Sequence, residues 1–118
     1  MADTVGWLVE GKIREGQLDA FTALKDEMVE GTSAEPGTLN YEWYIAEDGS
    51  SFTIWEKYAD ADATMAHSKG FGEKWAGRFM ECCEPTRFIA YGSPDDRIKE
   101  AIAGWGPVYQ KHWGGFAR

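Results

Sequence analysis

Near neutral pH the side chain best suited to moving a proton is an imidazole, and the chain carries two, His67 and His112. They are isolated, with no supporting ligand spacing, so they make a weak metal signal even though His112 is in principle able to ligate haem iron or a metal. Arg87 can hold an oxyanion, although an arginine at a strand end more often pairs with a surface acid. Asn40 and Tyr44 can each hydrogen-bond a ligand carbonyl, against the ordinary reading of sheet packing. Glu42 and Glu56 fall in strand interiors, where a carboxylate needs a partner or a raised pKa; Lys57, Lys12 and Arg87 are the expected partners. Trp43, Trp55, Tyr58, Phe71, Trp75 and Phe79 can line a slot for a flat ring, while any one of them singly reads as core. Cys82 and Cys83 are adjacent, poorly placed to bridge each other and wrongly spaced for zinc. They read as one packed thiol and one partly exposed. Gly70-Phe71-Gly72 and Gly104-Trp105-Gly106 lack the context of a nucleotide loop, and there is no nucleophile elbow or Cys/His metal pattern.

The elements that must position these groups are organised around Thr38 to Tyr58. Two runs rich in aromatic and β-branched residues flank the acidic turn Glu47-Asp48-Gly49-Ser50, a hairpin pattern entered at Pro36-Gly37 and left at Asp60. Alternation puts Leu39, Tyr41, Trp43 and Ile45 on one face of the first strand and Asn40, Glu42 and Tyr44 on the other. Phe52, Ile54, Glu56 and Tyr58 oppose Thr53, Trp55 and Lys57 in the same way. Aromatics stand on both faces, so both should be covered, one by helices and the other by a second copy of the chain.

Val5 to Ile13 reads as a first strand. A helix beginning at Glu15 or Gly16 follows, with Leu18, Phe21, Leu24 and Met28 as its apolar stripe. After the hairpin, Asp60 caps a short helix, Ala61 to Ser68, with Asp62 in its first turn. Gly70 and Gly72 permit a break before a second stretch from about Glu73 to Cys83, halted by Glu84-Pro85. Thr86 to Tyr91 is a fourth strand. Ser93 as cap and Pro94 at the first helical position open a last helix with Ile98, Ala101, Ile102 and Trp105 as its stripe. The order is β-α-β-β-α-β with a helix and an aromatic tail appended, an α+β, ferredoxin-like pattern with an antiparallel sheet. Trp105, Tyr109, Trp113 and Phe116 should fold over the chain's own cleft or onto a partner.

With 118 residues, the chain is expected to form one domain, 1–118, with a core of about 5–92 and the helix and tail in 93–118. Twelve basic against 20 acidic residues give a net charge of −8, which argues against nucleic acid and against anionic membrane surfaces. No apolar run reaches the ~20 residues of a membrane span and no signal peptide is apparent, so the expected location is cytoplasmic.

Pro36-Gly37-Thr38, the hairpin, the strand end Glu56-Lys57-Tyr58-Ala59-Asp60 and the helix carrying Ala66-His67 resemble the antibiotic biosynthesis monooxygenase family. The resemblance spans roughly Val5 to Gly92 and departs from the usual pattern after the histidine, where Lys69 stands in the place of a common serine. It implies a homodimer, a dimeric α/β barrel of two back-to-back sheets with helices outside, and a cleft between helices and sheet with His67 over it. Some members oxidise quinols or polyketide aromatics with molecular oxygen and no metal or flavin; others bind or degrade haem. For this chain the resemblance implies a monooxygenase that needs no cofactor and acts on a small aromatic substrate, an aromatic quinol or polyketide-like phenol. The alternatives are a ligand-binding or structural dimer without catalysis and a haem-binding or haem-degrading member. Such oxygenation needs an apolar slot, a base near neutrality and donors for an oxyanion. Burial among aromatics should lower the pKa of His67 and keep it neutral.

Overall fold

The computed structural model describes residues 4–118. The strands are β1 (Val5–Ile13), β2 (Thr38–Ile45), β3 (Ser51–Tyr58), β4 (Cys83–Gly92) and β5 (Val108–Gln110). The helices are α1 (Leu18–Ser33), α2 (Ala61–Lys74), α3 (Ala76–Cys82) and α4 (Asp96–Ile102). The strands form one open sheet in the order β2-β3-β1-β4-β5, antiparallel except for the last pair. The ferredoxin-like order is present, with its second helix split in two.

Register explains which residues meet. Trp7 lies opposite Glu56 on one side and Ala90 on the other, and Tyr41 also lies opposite Glu56. Alternation then gathers Val5, Trp7, Val9, Ile54, Glu56, Tyr58 and Phe88 on the face that the helices cover. Phe21, Leu24 and Met28 of α1 and Ile98 and Ile102 of α4 close that core from above. The opposite face carries Asn40, Glu42, Tyr44, Thr53, Trp55 and Lys57. There Trp55 packs on Tyr91 with ring centroids 5.7 Å apart. It also crosses Gly6, where an added Cβ would come within 3.0 Å of the indole.

Several boundaries differ from those the sequence suggests. Helix α1 begins at Leu18, after the turn at Gly16, and Leu18 itself is exposed. Helix α2 runs through Gly70 and Gly72 to Lys74, because its Asp60 cap and the buried Thr64 and His67 anchor it. Two glycines cost roughly 1 kcal/mol each in helix propensity and do not outweigh that anchorage. The break falls at Trp75 instead. Its indole N–H donates to Glu27 at 2.8 Å, and its ring lies over Gly31, where a Cβ would meet it at 2.8 Å.

Strand β4 starts three residues earlier than expected, at Cys83, and pairs with β1 through a bulge beside Gly11. Both cysteines are buried, correcting the expectation of one partly exposed thiol; burial pushes the Cys83 thiol up to about 12. Asp95, not Ser93, caps α4 by accepting the Ile98 N–H at 3.0 Å, and Ala101 is exposed. Strand β5 was not foreseen. A 3-10 turn, Ala103–Trp105, ends on Gly106 at φ 65° and sends the chain along β4. Beyond it Trp113 and Phe116 are 97% and 79% exposed, so of the tail aromatics only Trp105 reaches the cleft.

Candidate active site

Between the sheet and the helices lies a cleft walled by Trp7, Tyr41, Ile54, Phe79, Phe88 and Trp105, with Glu56, His67 and Phe71 also at its surface. The open space is about 40 Å³, a few water molecules' worth. Phe71 and Trp105, both half-buried with centroids 5.9 Å apart, form its outer wall.

The polar side of the cleft is a chain of five groups. The Tyr58 hydroxyl donates a hydrogen bond to Glu56 Oε1. His67 Nε2 stands 3.3 Å from the same oxygen, and His67 Nδ1 stands 2.9 Å from Glu35 Oε1. Thr38 Oγ1 donates to that Glu35 oxygen at 2.7 Å. Glu56 is 5% exposed and His67 3%, so this is a buried network with Glu35 as its outer, partly exposed end. The imidazole packs against Tyr41 and Tyr58, at 5.3 and 5.2 Å between centroids.

Local structure explains the assembly. Glu56 and Tyr58 are two residues apart on β3 and so share a face. Glu35 belongs to the turn before β2, held by its N–H to the Thr32 carbonyl at 2.9 Å. Gly37 lets that turn lie against α2, since a Cβ there would come within 2.5 Å of the Ala63 Cβ. A glycine in the Pro-Gly-Thr segment is thus what allows Glu35 to reach a histidine on α2.

The shift of the His67 pKa runs opposite to the expected direction. Burial is the largest single influence and pulls the imidazole down, but the hydrogen bonds and charges of Glu56 and Glu35 together outweigh it and hold the pKa above its usual value. His67 is therefore favoured as an imidazolium. Burial, with the Glu56 charge second, raises the phenols of Tyr41 and Tyr58 and keeps them neutral. Thr32 Oγ1 and Trp43 Nε1 are enclosed beside the Tyr41 phenol, and among the described residues neither meets a partner of good hydrogen-bond geometry.

Of the residues singled out in the sequence, Glu56, His67, Phe71, Phe79 and Trp105 line the cleft, and Tyr58 touches it through Glu56 and His67. Trp43 stands behind the wall, its ring packed on Tyr41, Phe52 and Phe79. The others lie elsewhere. Asn40 and Tyr44 are on the opposite face, both bonded to Glu42, at 3.3 and 3.1 Å. Trp55 is on that face too, and Arg87, exposed, lies opposite Glu10 there. Trp75 sits at the seam of α1 and α3. Glu56 pairs with Tyr58 and His67, not with Lys57, Lys12 or Arg87. Glu35, Tyr41 and Trp7 were missed. The i, i+2 relation of Glu56 and Tyr58 was the one local signal of the network.

Among the described residues no group of three or more His, Cys, Asp or Glu is able to hold a metal ion. Glu35 and Glu56 approach opposite nitrogens of one ring and do not converge. No helix among the described residues is long and apolar enough to cross a membrane.

Solved structures share the fold, among them these three. MupZ from Pseudomonas fluorescens superposes with a TM-score of 0.85 at 24% identity, covering 98% of this chain and 95% of its own. Rv0793 from Mycobacterium tuberculosis gives 0.65 at 23% identity, covering 79% and 97%. SnoaB, a cofactor-independent oxygenase from Streptomyces nogalater, gives 0.65 at 15% identity, covering 80% and 96%. No curated protein matches the sequence. The profile of the antibiotic biosynthesis monooxygenase family matches residues 5–71, more than half of the chain and the part that supplies Trp7, Glu35, Tyr41, Glu56, Tyr58, His67 and Phe71. The chain therefore belongs to the antibiotic biosynthesis monooxygenase family.

Proposed function

We propose that the protein is a cofactor-independent monooxygenase that oxidises a small aromatic quinol or polyketide-like phenol with molecular oxygen. The observation that carries this reading is an aromatic-walled cleft with a buried carboxylate–imidazole pair at its surface. Family membership supports the reaction type, and SnoaB, which shares the fold, is a cofactor-independent oxygenase. In this reading the aromatic walls hold a flat ring after Phe71 and Trp105 move aside. The reacting hydroxyl lies by the carboxylate–imidazole pair. His67 serves as a fixed positive charge beside the anion that deprotonation leaves, in place of the neutral base expected from its burial.

A second copy is placed on the open sheet face, where Trp55, Tyr91 and Leu8 are only partly covered. Family resemblance favours such a homodimer, and burying these groups would contribute ~25 cal/mol per Å² of apolar area. Haem is the less supported occupant, because both nitrogens of His67 already face carboxylates.

The test is oxygen uptake with a panel of naphthohydroquinones and anthrones. At least one should be consumed well above its uncatalysed rate, and His67→Gln should reduce that turnover by roughly 10²-fold or more. Uptake no faster than background across the panel would leave the non-catalytic binding protein as the reading.

A further inference from the structure

Glu56 is a buried carboxylate with only half of its hydrogen-bonding capacity used. Tyr58 and His67 both approach Oε1. Among the described residues Oε2 makes no hydrogen bond, and it is not one of the two fully enclosed atoms that lack a partner of good geometry, Thr32 Oγ1 and Trp43 Nε1. A carboxylate oxygen without a donor at a buried position is costly unless something completes it. Glu56 lines the cleft beside Trp7 and Ile54, and the aromatic walls there have no other charge to offer a ligand except the fully engaged His67. The groups facing Glu56 are Tyr58 on its own strand, Tyr41 opposite it on β2 and His67 from α2, which in turn is held by Glu35.

We infer that Glu56 Oε2 is the acceptor that anchors the hydroxyl of an aromatic ligand in this cleft and takes its proton, with Tyr58, His67 and Glu35 as positioning residues. The inference rests on the reading that the cleft binds a hydroxylated ring. In the transfer the ligand O–H bond breaks, its electron pair stays on the ligand oxygen, and the proton forms an O–H bond at Oε2. The carboxylate becomes a neutral carboxyl, and its negative charge is replaced by that of the phenolate beside the His67 imidazolium. Net charge in the cleft is unchanged. Two donors on Oε1 also fix the carboxylate plane, so the free oxygen is presented in one orientation.

Isothermal titration with 2-naphthol and its methyl ether, 2-methoxynaphthalene, tests this without requiring turnover. The wild-type protein should bind the naphthol about tenfold or more tighter, since a site built to accept a hydroxyl rejects an analogue lacking it. Glu56→Gln, with its fold checked by near-ultraviolet circular dichroism, should bind the two about equally. His67→Gln should keep part of the preference. Equal binding of both compounds by the wild type, failure of either to bind, or a preference that survives Glu56→Gln would overturn the assignment. The wild-type comparison decides even if the variant does not fold. Oxygen uptake separates the two readings. A hydroxyl preference without uptake overturns the oxygenase alone, and uptake without the preference overturns the role of Glu56 alone.

Discussion

The two faces of the sheet are made by the same strands and met different fates. On the helix side Trp7, Ile54, Phe88 and Phe79 form one interlocked core, with Phe79 touching the rings of Phe21, Trp43, Phe52, Phe71 and Trp105. On the open side the contacts are local. Trp55 meets Tyr91, and Asn40 and Tyr44 both turn to Glu42, leaving Tyr44 57% exposed. An aromatic on a strand therefore says that its face is useful, and the element packed above it says for what. Where helices cover the face, aromatics enclose a cleft; where none does, they stay partly exposed.

The comparison breaks most readily at its two central rings. Phe79→Ala should cost about 3–5 kcal/mol by urea denaturation, the usual range for a buried aromatic. Trp55→Glu should leave the fold of each chain intact and raise the dimer dissociation constant at least about thirtyfold, as for an interface hot spot. Sedimentation across micromolar concentrations reads the second. A wild-type monomer there, or equal losses of fold stability from the two changes, would show that the faces do not differ as described.

The buried network on the helix side should be visible in the pH dependence of stability. A folded-state pKa raised above the ordinary 6.5 means that the folded protein binds the His67 proton more tightly than the unfolded chain does. That contribution is present in full below pH 6.5 and is lost as pH rises through the raised value. His67→Gln should cost roughly 3 kcal/mol at pH 6, because it strips a buried carboxylate of its cation. The difference from wild type should shrink towards pH 9. A difference that grows with pH would mean a neutral His67. The smallest effect belongs to the end of α2 that carries the histidine: Asp60→Ala removes the acceptor of the Ala63 N–H and should cost about 1 kcal/mol in thermal unfolding.

Much of this molecule is set by local pattern. Period-two alternation in Thr38 to Tyr58 assigned each side chain to a face, and the apolar stripe at Phe21, Leu24 and Met28 assigned a helix. Together these dictate the ferredoxin-like order, because the physics of a strand or a helix face extends over only a few residues. Helix ends were less legible. Gly70 and Gly72 suggested a break that burial of Thr64 and His67 overrode, and Asp95 took the cap position that the sequence pattern assigns to Ser93. The site was least legible of all. Glu35 lies 32 residues from His67 in sequence and meets it only because the Gly37 turn packs on α2. Once there, it and Glu56 outweigh the downward pull of burial on the imidazole pKa. The family resemblance pointed to His67, and residue type named Tyr58, Phe71 and Phe79. Only the tertiary structure decided that Arg87, Trp55, Asn40 and Tyr44 face away from them and that two acids hold the histidine, since a pKa depends on which charges come within a few ångströms, and chain folding sets those distances.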